Sequence, residues 1–182
     1  MAGTWDIDPV HSHIGFMARH MMLSKVRGRF DVFEGQIITG EDPFSSSVAV
    51  TVDLNSVNTG NEVRDNDLRS DNFFDVANYP TMTYRSTGVR RAGEDFFLDG
   101  QLTVRGVTRP VSLRFEVNGF AADPEGVTRA PFSAAGEINR WNSASAPTRR
   151  SRAWPAKRSI STSRLGQCVL SPTRTASAAA PG

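Results

Sequence analysis

Strict alternation of apolar and polar side chains is the feature that most narrows the folds open to this chain. Val48, Val50, Val52 and Leu54 alternate with Ala49, Thr51 and Asp53, and Val111, Leu113, Phe115 and Val117 alternate with Ser112, Arg114 and Glu116. Leu98, Leu102 and Val104 repeat the pattern against Asp99, Gln101 and Thr103, with Gly100 on the apolar parity. A period of two places each apolar set on one face of a strand. The segment Gly106-Val107-Thr108-Arg109-Pro110 reads as a turn, which predicts a hairpin between the last two runs. Further strands are expected over 13–22, 26–38, 81–90 and 130–140, with Gly28 and Gly35 marking bends or a bulge in the second. Residues 61–74 break the pattern: Val63 and Leu68 stand sparsely among charges, which predicts a short helix ending before Tyr79-Pro80. The result is an all-β domain with one short helix. Closing such a sheet into an antiparallel barrel removes its edges, whereas a sandwich would bury the same faces in a dry core. Periodicity alone leaves both open.

Composition excludes several classes. The 182 residues suit one domain with a core, and 38% are hydrophobic. Cys168 is the sole cysteine, so no internal disulfide can form; that fits a reducing compartment. The start, Met-Ala-Gly-Thr-Trp-Asp-Ile-Asp, has neither the basic nor the apolar region of a signal peptide. No run approaches the roughly 18 apolar residues of a transmembrane segment. The expectation is a cytoplasmic protein. Charge is divided sharply: residues 141–182 hold seven of the 21 Lys and Arg and none of the 19 Asp and Glu.

The residues themselves say more. Trp5-Asp6-Ile7-Asp8-Pro9-Val10-His11-Ser12-His13-Ile14-Gly15-Phe16, then Arg19-His20 and Val26-Arg27-Gly28-Arg29-Phe30, resemble the opening of the YceI-like family. Ser56-Val57-Asn58-Thr59-Gly60-Asn61, Arg64-Asp65, Leu68-Arg69-Ser70-Asp71-Asn72-Phe73-Phe74-Asp75 and Tyr79-Pro80 continue the match, and Gly100 through Val111 completes it. The resemblance spans about residues 5–140. It implies a lipocalin-like antiparallel barrel and a polyisoprenoid or other amphiphilic lipid as partner. Many relatives carry signal peptides, which this chain as given does not resemble at its start. One departure is Asp67, where the family commonly has a histidine; the preference for a headgroup is in question there.

The candidate ligand-binding residues follow. Ile14, Phe16, Val50, Val52, Leu102, Leu113 and Phe115 are candidate liners of an apolar tunnel, with plain core packing as the other reading of each. His20 is a candidate headgroup contact. Arg64-Asp65 is read either as a headgroup clamp, since Arg offers a planar fork to phosphate or carboxylate, or as an ion pair tying the short helix to the barrel. Arg105 reads as a solvated turn residue. His11, His13 and His20 are the only histidines. His11 and His13 share strand parity, but no cysteine or HExxH spacing accompanies them, so neither a metal nor any other cofactor is expected. No phosphate-cradling loop, GxSxG or Cys/His pair is present. The expected function is binding, storage or transport of an isoprenoid-like lipid rather than catalysis. A stress-related barrel with a dry core and a small enzyme stand as alternatives. No specific nucleic acid is expected as partner, and a homodimer is left open.

After Arg140 the alternation stops, and Ser, Ala, Arg and Pro take over. The domain is therefore set at 1–140, followed by a basic tail, 141–182, read as disordered and lacking the barrel's closing strand. A frameshift is one origin for it. The resemblance implies a segment containing Phe-Gly-Val after Asn139-Arg140. Trp141 is encoded by TGG and Asn142 begins AA, so a shifted frame reads Glu there, then Phe or Leu where Ser143 is a TCN codon, and then permits Gly, Val, Arg, Thr and Asn. The shifted frame over 159–163 permits Val-Asp-Ile-Asn-Leu, a period-two strand.

Overall fold

The computed structural model of the chain describes residues 3–20, 24–117, 121–122, 128–139 and 159–172, with 159–172 and several strand ends described by backbone alone. Three long β runs, each broken once, begin the fold. β1 (Gly3–Ile7) and β2 (Ile14–His20) form the first. β3 (Ser24–Phe30) and β4 (Phe33–Thr39) return antiparallel beside them, with Trp5 opposite Ile37 and Phe16 opposite Gly28. β5 (Ser47–Asp53) and β6 (Val57–Asn58) make the third run, joined by a 3-10 turn at Leu54–Ser56. A single helix, α1 (Glu62–Arg69), follows. The ladder then continues through β7 (Thr81–Ala92), β8 (Asp95–Val104), β9 (Val107–Val117) and β11 (Thr128–Asn139), with the two-residue β10 (Ala121–Ala122) beside β11. β12 (Ser159–Pro172) pairs with β11 on one side and with β1 and β2 on the other. The sheet thus curls back on itself as an antiparallel barrel.

The strand predicted over 26–38 is two strands, broken at Asp31-Val32 and not at its glycines. Gly28 and Gly35 serve close packing instead. A Cβ on Gly35 would lie 2.6 Å from Ile7 Cδ1 and 3.0 Å from the Ala49 carbonyl oxygen. One on Gly28 would run into the Phe16 ring and meet Thr59 Cγ2 at 2.9 Å. The hairpin turn is also tighter than expected. It is Arg105-Gly106 alone, with φ of +50° and +70°, so both central residues are left-handed. That is the two-residue geometry that matches the twist of the flanking strands. β1 was not anticipated at all, and His11 and His13 lie in the loop after it rather than on a strand.

The helix is a local consequence of its sequence. Asn61 caps it, its side chain accepting from the Arg64 N–H at 3.0 Å. Glu62 and Asp65 lie in the first turn and Arg69 in the last, each on the side the helix dipole favours. Its apolar content is too small to seat it: Val63 is 82% exposed, and Leu68 alone reaches the core. Arg69 is one polar anchor, donating from Nε to the Asn55 carbonyl at 2.9 Å and from Nη2 to the Val57 carbonyl at 3.0 Å.

The expectation that the tail contributes no strand is corrected for residues 159–172, which form β12. Its sequence still shows its weak alternation. Phe132 pairs with Cys168, Ala134 with Leu165 and Gly136 with Thr162, so two residues of β11 twice oppose three of β12. The open edges of β11 and of β1–β2 impose the pairing, and the missing alternation is absorbed as bulges.

Two outcomes test this account. Gly100 accommodates Tyr84, and a Cβ there would lie 2.6 Å from the Arg85 carbonyl oxygen, which the ladder holds in place. Gly100→Ala should cost about 1–3 kcal/mol, read as a fall of several degrees in thermal midpoint; an unchanged midpoint contradicts the packing. Deleting residues 159–182 should lower the midpoint and promote aggregation by exposing both edges. If instead the gene carries a single-base change near codons 140–141, restoring the other frame should raise the midpoint of the barrel above that of the present chain.

Candidate functional site

Which inward side chains are merely packed, and which face open space, decides what the interior can do. Two clusters of buried residues line it. Trp5, Ile7, Ile14, Phe30, Phe33, Ile37, Val52, Leu54 and Val57 form one. Tyr84, Leu98, Leu102, Val104, Val111, Leu113 and Ala134 form the other. Among the described residues the clusters meet only through side chains that touch both: Val48, Phe74, Met82 and Phe132, all half-buried. A continuous core would bury the side chains at its centre most deeply. Here the connecting side chains keep accessible surface.

The predicted liners divide along the same line. Ile14, Val52, Leu102 and Leu113 are 4%, 3%, 8% and 6% exposed and belong to the packed clusters. Phe16, Val50 and Phe115 are half-buried beside them. Phe16 leans on Phe30, ring centroids 5.4 Å apart, and Phe115 on Phe96 at 5.9 Å. Val48, Met82 and Phe132 join this half-buried set and were missed in the sequence. Val48 was legible as an alternating position, but nothing in the chain distinguishes depth.

Arg64 and Asp65 do not pair with each other. Both converge on Thr59. The Asp65 carboxylate, buried at 7% exposure, accepts from the Thr59 N–H at 2.9 Å and from the Thr59 hydroxyl at 2.5 Å through the same oxygen, Oδ1. The Arg64 Nε donates to the Thr59 hydroxyl oxygen at 2.7 Å, and Nη2 donates to its carbonyl at 3.0 Å. The pair fastens the helix to the end of β6, through a threonine rather than the expected ion pair. Asp67 is exposed on the same helix. Arg105 is not a solvated turn residue. Its Nη1 donates to the Phe73 carbonyl at 2.8 Å, and Nη2 lies 3.5 Å from Asp75.

The histidines are apart. The His11 Nδ1 lies 2.7 Å from Asp8 Oδ2, and both His11 and His13 are exposed. His20 is described by backbone alone, opposite Ser24 at the end of β2; its side chain, like that of Cys168, lies outside the described residues. Among the described residues no three His, Cys, Asp or Glu gather as metal ligands, and no helix is long and apolar enough to cross a membrane. Tyr84 brings a polar hydroxyl into the second cluster. Its hydroxyl donates to the Leu98 carbonyl at 2.8 Å, and burial, with a smaller contribution from the Asp99 charge, holds its pKa well above the usual tyrosine range. Asp99 on the outer face is held below the usual carboxylate range, first by the Ser112 hydroxyl and then by Arg90 at 2.7 Å.

An antiparallel barrel with a double apolar lining and one stapled helix is the class of protein that this fold defines. The chain belongs to the YceI-like family, whose domain model matches residues 5–142. It is 39% identical over 134 residues to a UPF0312 protein of Enterobacter sp. (strain 638) and 38% identical to Protein YceI of Salmonella newport (strain SL254); each match spans 73% of this chain and 70% of the relative. Among solved structures, the YCEI protein of Campylobacter jejuni is 32% identical with a TM-score of 0.60, covering 73% of this chain and 79% of that one. A polyisoprenoid binding domain from Saccharophagus degradans is 25% identical with a TM-score of 0.56, covering 74% and 77%. BcnA of Burkholderia cenocepacia shares the fold over 92% of this chain and 99% of its own, with a TM-score of 0.70 at 20% identity.

The Thr59 junction makes a direct prediction. Asp65→Ala leaves the part-buried Thr59 N–H and hydroxyl without their acceptor, which should cost about 1–3 kcal/mol in urea denaturation. Loss of less than a few tenths would mean that the junction does not hold the helix.

Proposed function

We propose that the barrel binds, stores or carries an apolar isoprenoid or similar amphiphilic lipid between its two core clusters and performs no catalysis. The observation that carries this reading is the half-burial of Phe16, Val48, Val50, Met82, Phe115 and Phe132 on the inward face. Of these, Val48, Met82 and Phe132 touch both clusters, and the surface they keep accessible is what a ligand between the clusters would cover. Each buried CH₂ of a ligand gains about 0.8 kcal/mol, so a five-carbon isoprene unit contributes up to roughly 3–4 kcal/mol before ordering costs. The inward positions of the two clusters are mainly apolar, and the charged Arg91 stands at one end, over the Phe96 ring. A long hydrocarbon suits such a surface, and the headgroup is left to the ends. The polyisoprenoid binding domain among the structural relatives supports the same ligand class.

The test is organic extraction of purified protein followed by mass spectrometry. Wild-type protein should release a lipid of isoprenoid or related amphiphilic type. Val50→Asp and Phe115→Asp, at half-buried positions, should fold as judged by circular dichroism yet retain about tenfold less or lower still, because a carboxylate cannot be desolvated against hydrocarbon. Val52→Asp and Leu113→Asp lie in the packed clusters and should unfold the barrel instead. Wild-type protein that yields no lipid, or a folded Val50→Asp that retains as much as wild type, sinks the proposal.

A further inference from the structure

The apolar interior is not closed alike at its two ends. Toward the helix, Phe74 packs on both clusters and Leu68 and Val76 on the first, and the inward side chains of β8 stay buried as far as Val104. Toward the β7–β8 hairpin the inward parity opens to solvent on three adjacent strands at once. Along β9, Leu113 is 6% exposed, Phe115 is half-buried and Val117 is 52% exposed. Along β8, Leu98 is buried and Phe96 half-buried. Along β7, Val89 packs on the second cluster, and the next inward residue is not apolar: it is Arg91, exposed and directly opposite Phe96.

Arg91 differs from its neighbours of the same charge. Arg90 and Arg114 stand on the outer parity and are paired, Arg90 with Asp99 at 2.7 Å and Arg114 with Asp95 at 2.9 Å. The Arg91 guanidinium lies 5.7 Å from the centroid of the Phe96 ring, and that ring lies 5.9 Å from Phe115, which packs on the second cluster. Its Nε donates to the Gly93 carbonyl at 2.8 Å. Neither Glu94 nor any other carboxylate among the described residues forms an ion pair with it. A guanidinium anchored through Nε keeps its two terminal nitrogens for a pair of anionic oxygens.

We propose that the bound amphiphile carries an anionic headgroup, a carboxylate or a phosphate, seated on Arg91 at the β7–β8 end, with its hydrocarbon running inward past Phe96 and Phe115. This deepens the lipid-binding reading of the interior and rests on it. The charge at the rim selects the headgroup. A cationic one would meet a like charge, and a hydroxyl cannot accept from both terminal nitrogens as a carboxylate or phosphate does. Arg109 is an inward-parity arginine toward the helix end, opposite Leu102. Among the described residues its side chain makes no hydrogen bond or ring contact that would aim it over the interior.

Isothermal titration of delipidated protein at mildly alkaline pH tests this, with three chain-matched probes: geranylgeranyl phosphate, geranylgeranoate and geranylgeraniol. Wild-type protein should bind at least one of the acids about fivefold to tenfold more tightly than the alcohol, by a margin that shrinks as ionic strength rises. The tighter acid names the headgroup. Arg91→Gln should bring the acids to the level of the alcohol and leave the affinity for the alcohol as it was; Arg91→Lys should restore part of the margin. Arg109→Gln should keep the wild-type order. The proposal is overturned by wild-type protein that binds the alcohol within about twofold of both acids, or by Arg91→Gln that keeps the margin. It is also overturned if Arg91→Gln weakens all three probes alike, as a purely structural hairpin contact would. Loss of the margin in Arg109→Gln alone would place the headgroup at the opposite end and overturn it too. Failure of the lipid-binding reading looks different: none of the three probes binds, and wild-type protein releases no lipid on extraction.

Discussion

An antiparallel sheet can enclose an apolar interior only when its first and last strands find each other, and here that depends on β12. Without it, β11 and the β1–β2 run are two open edges of backbone donors and acceptors facing water. β12 meets an uneven target. It pairs with β2 through Ile160, Ser161 and Leu165 and with β1 through Leu170, Ser171 and Pro172, and these two strands are separated by the loop 8–13. A straight strand cannot follow both. The register slips against β11 and β2 bend the strand so that it crosses from one to the other. The same break in the first run recurs at Asp31-Val32 and at Leu54–Ser56 in the next two. The Asp31 N–H donates to the Ser56 carbonyl at 3.1 Å and the Asp53 N–H to the Val32 carbonyl at 3.0 Å. The three long runs break at corresponding places, and the second and third stay joined across the break by these two backbone hydrogen bonds.

Much of the wall was legible because a period of two is a strong local signal. The runs around Val52, Leu102 and Leu113 could only be strands with one apolar face, and the break in alternation over 61–74, with Val63 and Leu68 sparse among charges, announced the helix. What escaped was long-range. β1 is five residues long, and its two buried side chains, Trp5 and Ile7, sit among polar neighbours. Its pairing with β4 and β12, not its own pattern, makes it a strand. Gly28 and Gly35 looked like bends because a strand glycine is ambiguous between a kink and a close approach; the rings and methyl groups that fill the space come from other strands. β12 was invisible for the opposite reason, since its strand character is imposed by two waiting edges.

The candidate site was legible in kind and not in depth. Alternation assigns a side chain to a face, but Val50 and Val52 occupy the same face of the same strand with different exposure. Which of them keeps accessible surface depends on what stands across the barrel. Arg64 and Asp65 show the complementary case. Their types invited a charge-to-charge reading, yet Thr59 lies between them in the hydrogen-bonding sense. Its hydroxyl donates to the carboxylate and accepts from the guanidinium, so one small residue neutralises the need for direct contact.

That junction bears on how the interior is closed at the helix end. Leu68 and Val76 pack against the first cluster, and Phe74 reaches both clusters, meeting Phe30 edge-on at 5.9 Å between centroids. Phe74 is carried by the loop between α1 and β7, where Asp75 has a left-handed φ of +54°. Its N–H is fixed to the Leu68 carbonyl at 3.0 Å, and the flanking Phe73 and Asp75 are held by Arg105 from the tip of the β8–β9 hairpin. Phe74 is therefore positioned from two sides, by the helix that Thr59 fastens and by a turn residue more than thirty positions away. Its side chain is only half-buried while its backbone is tied.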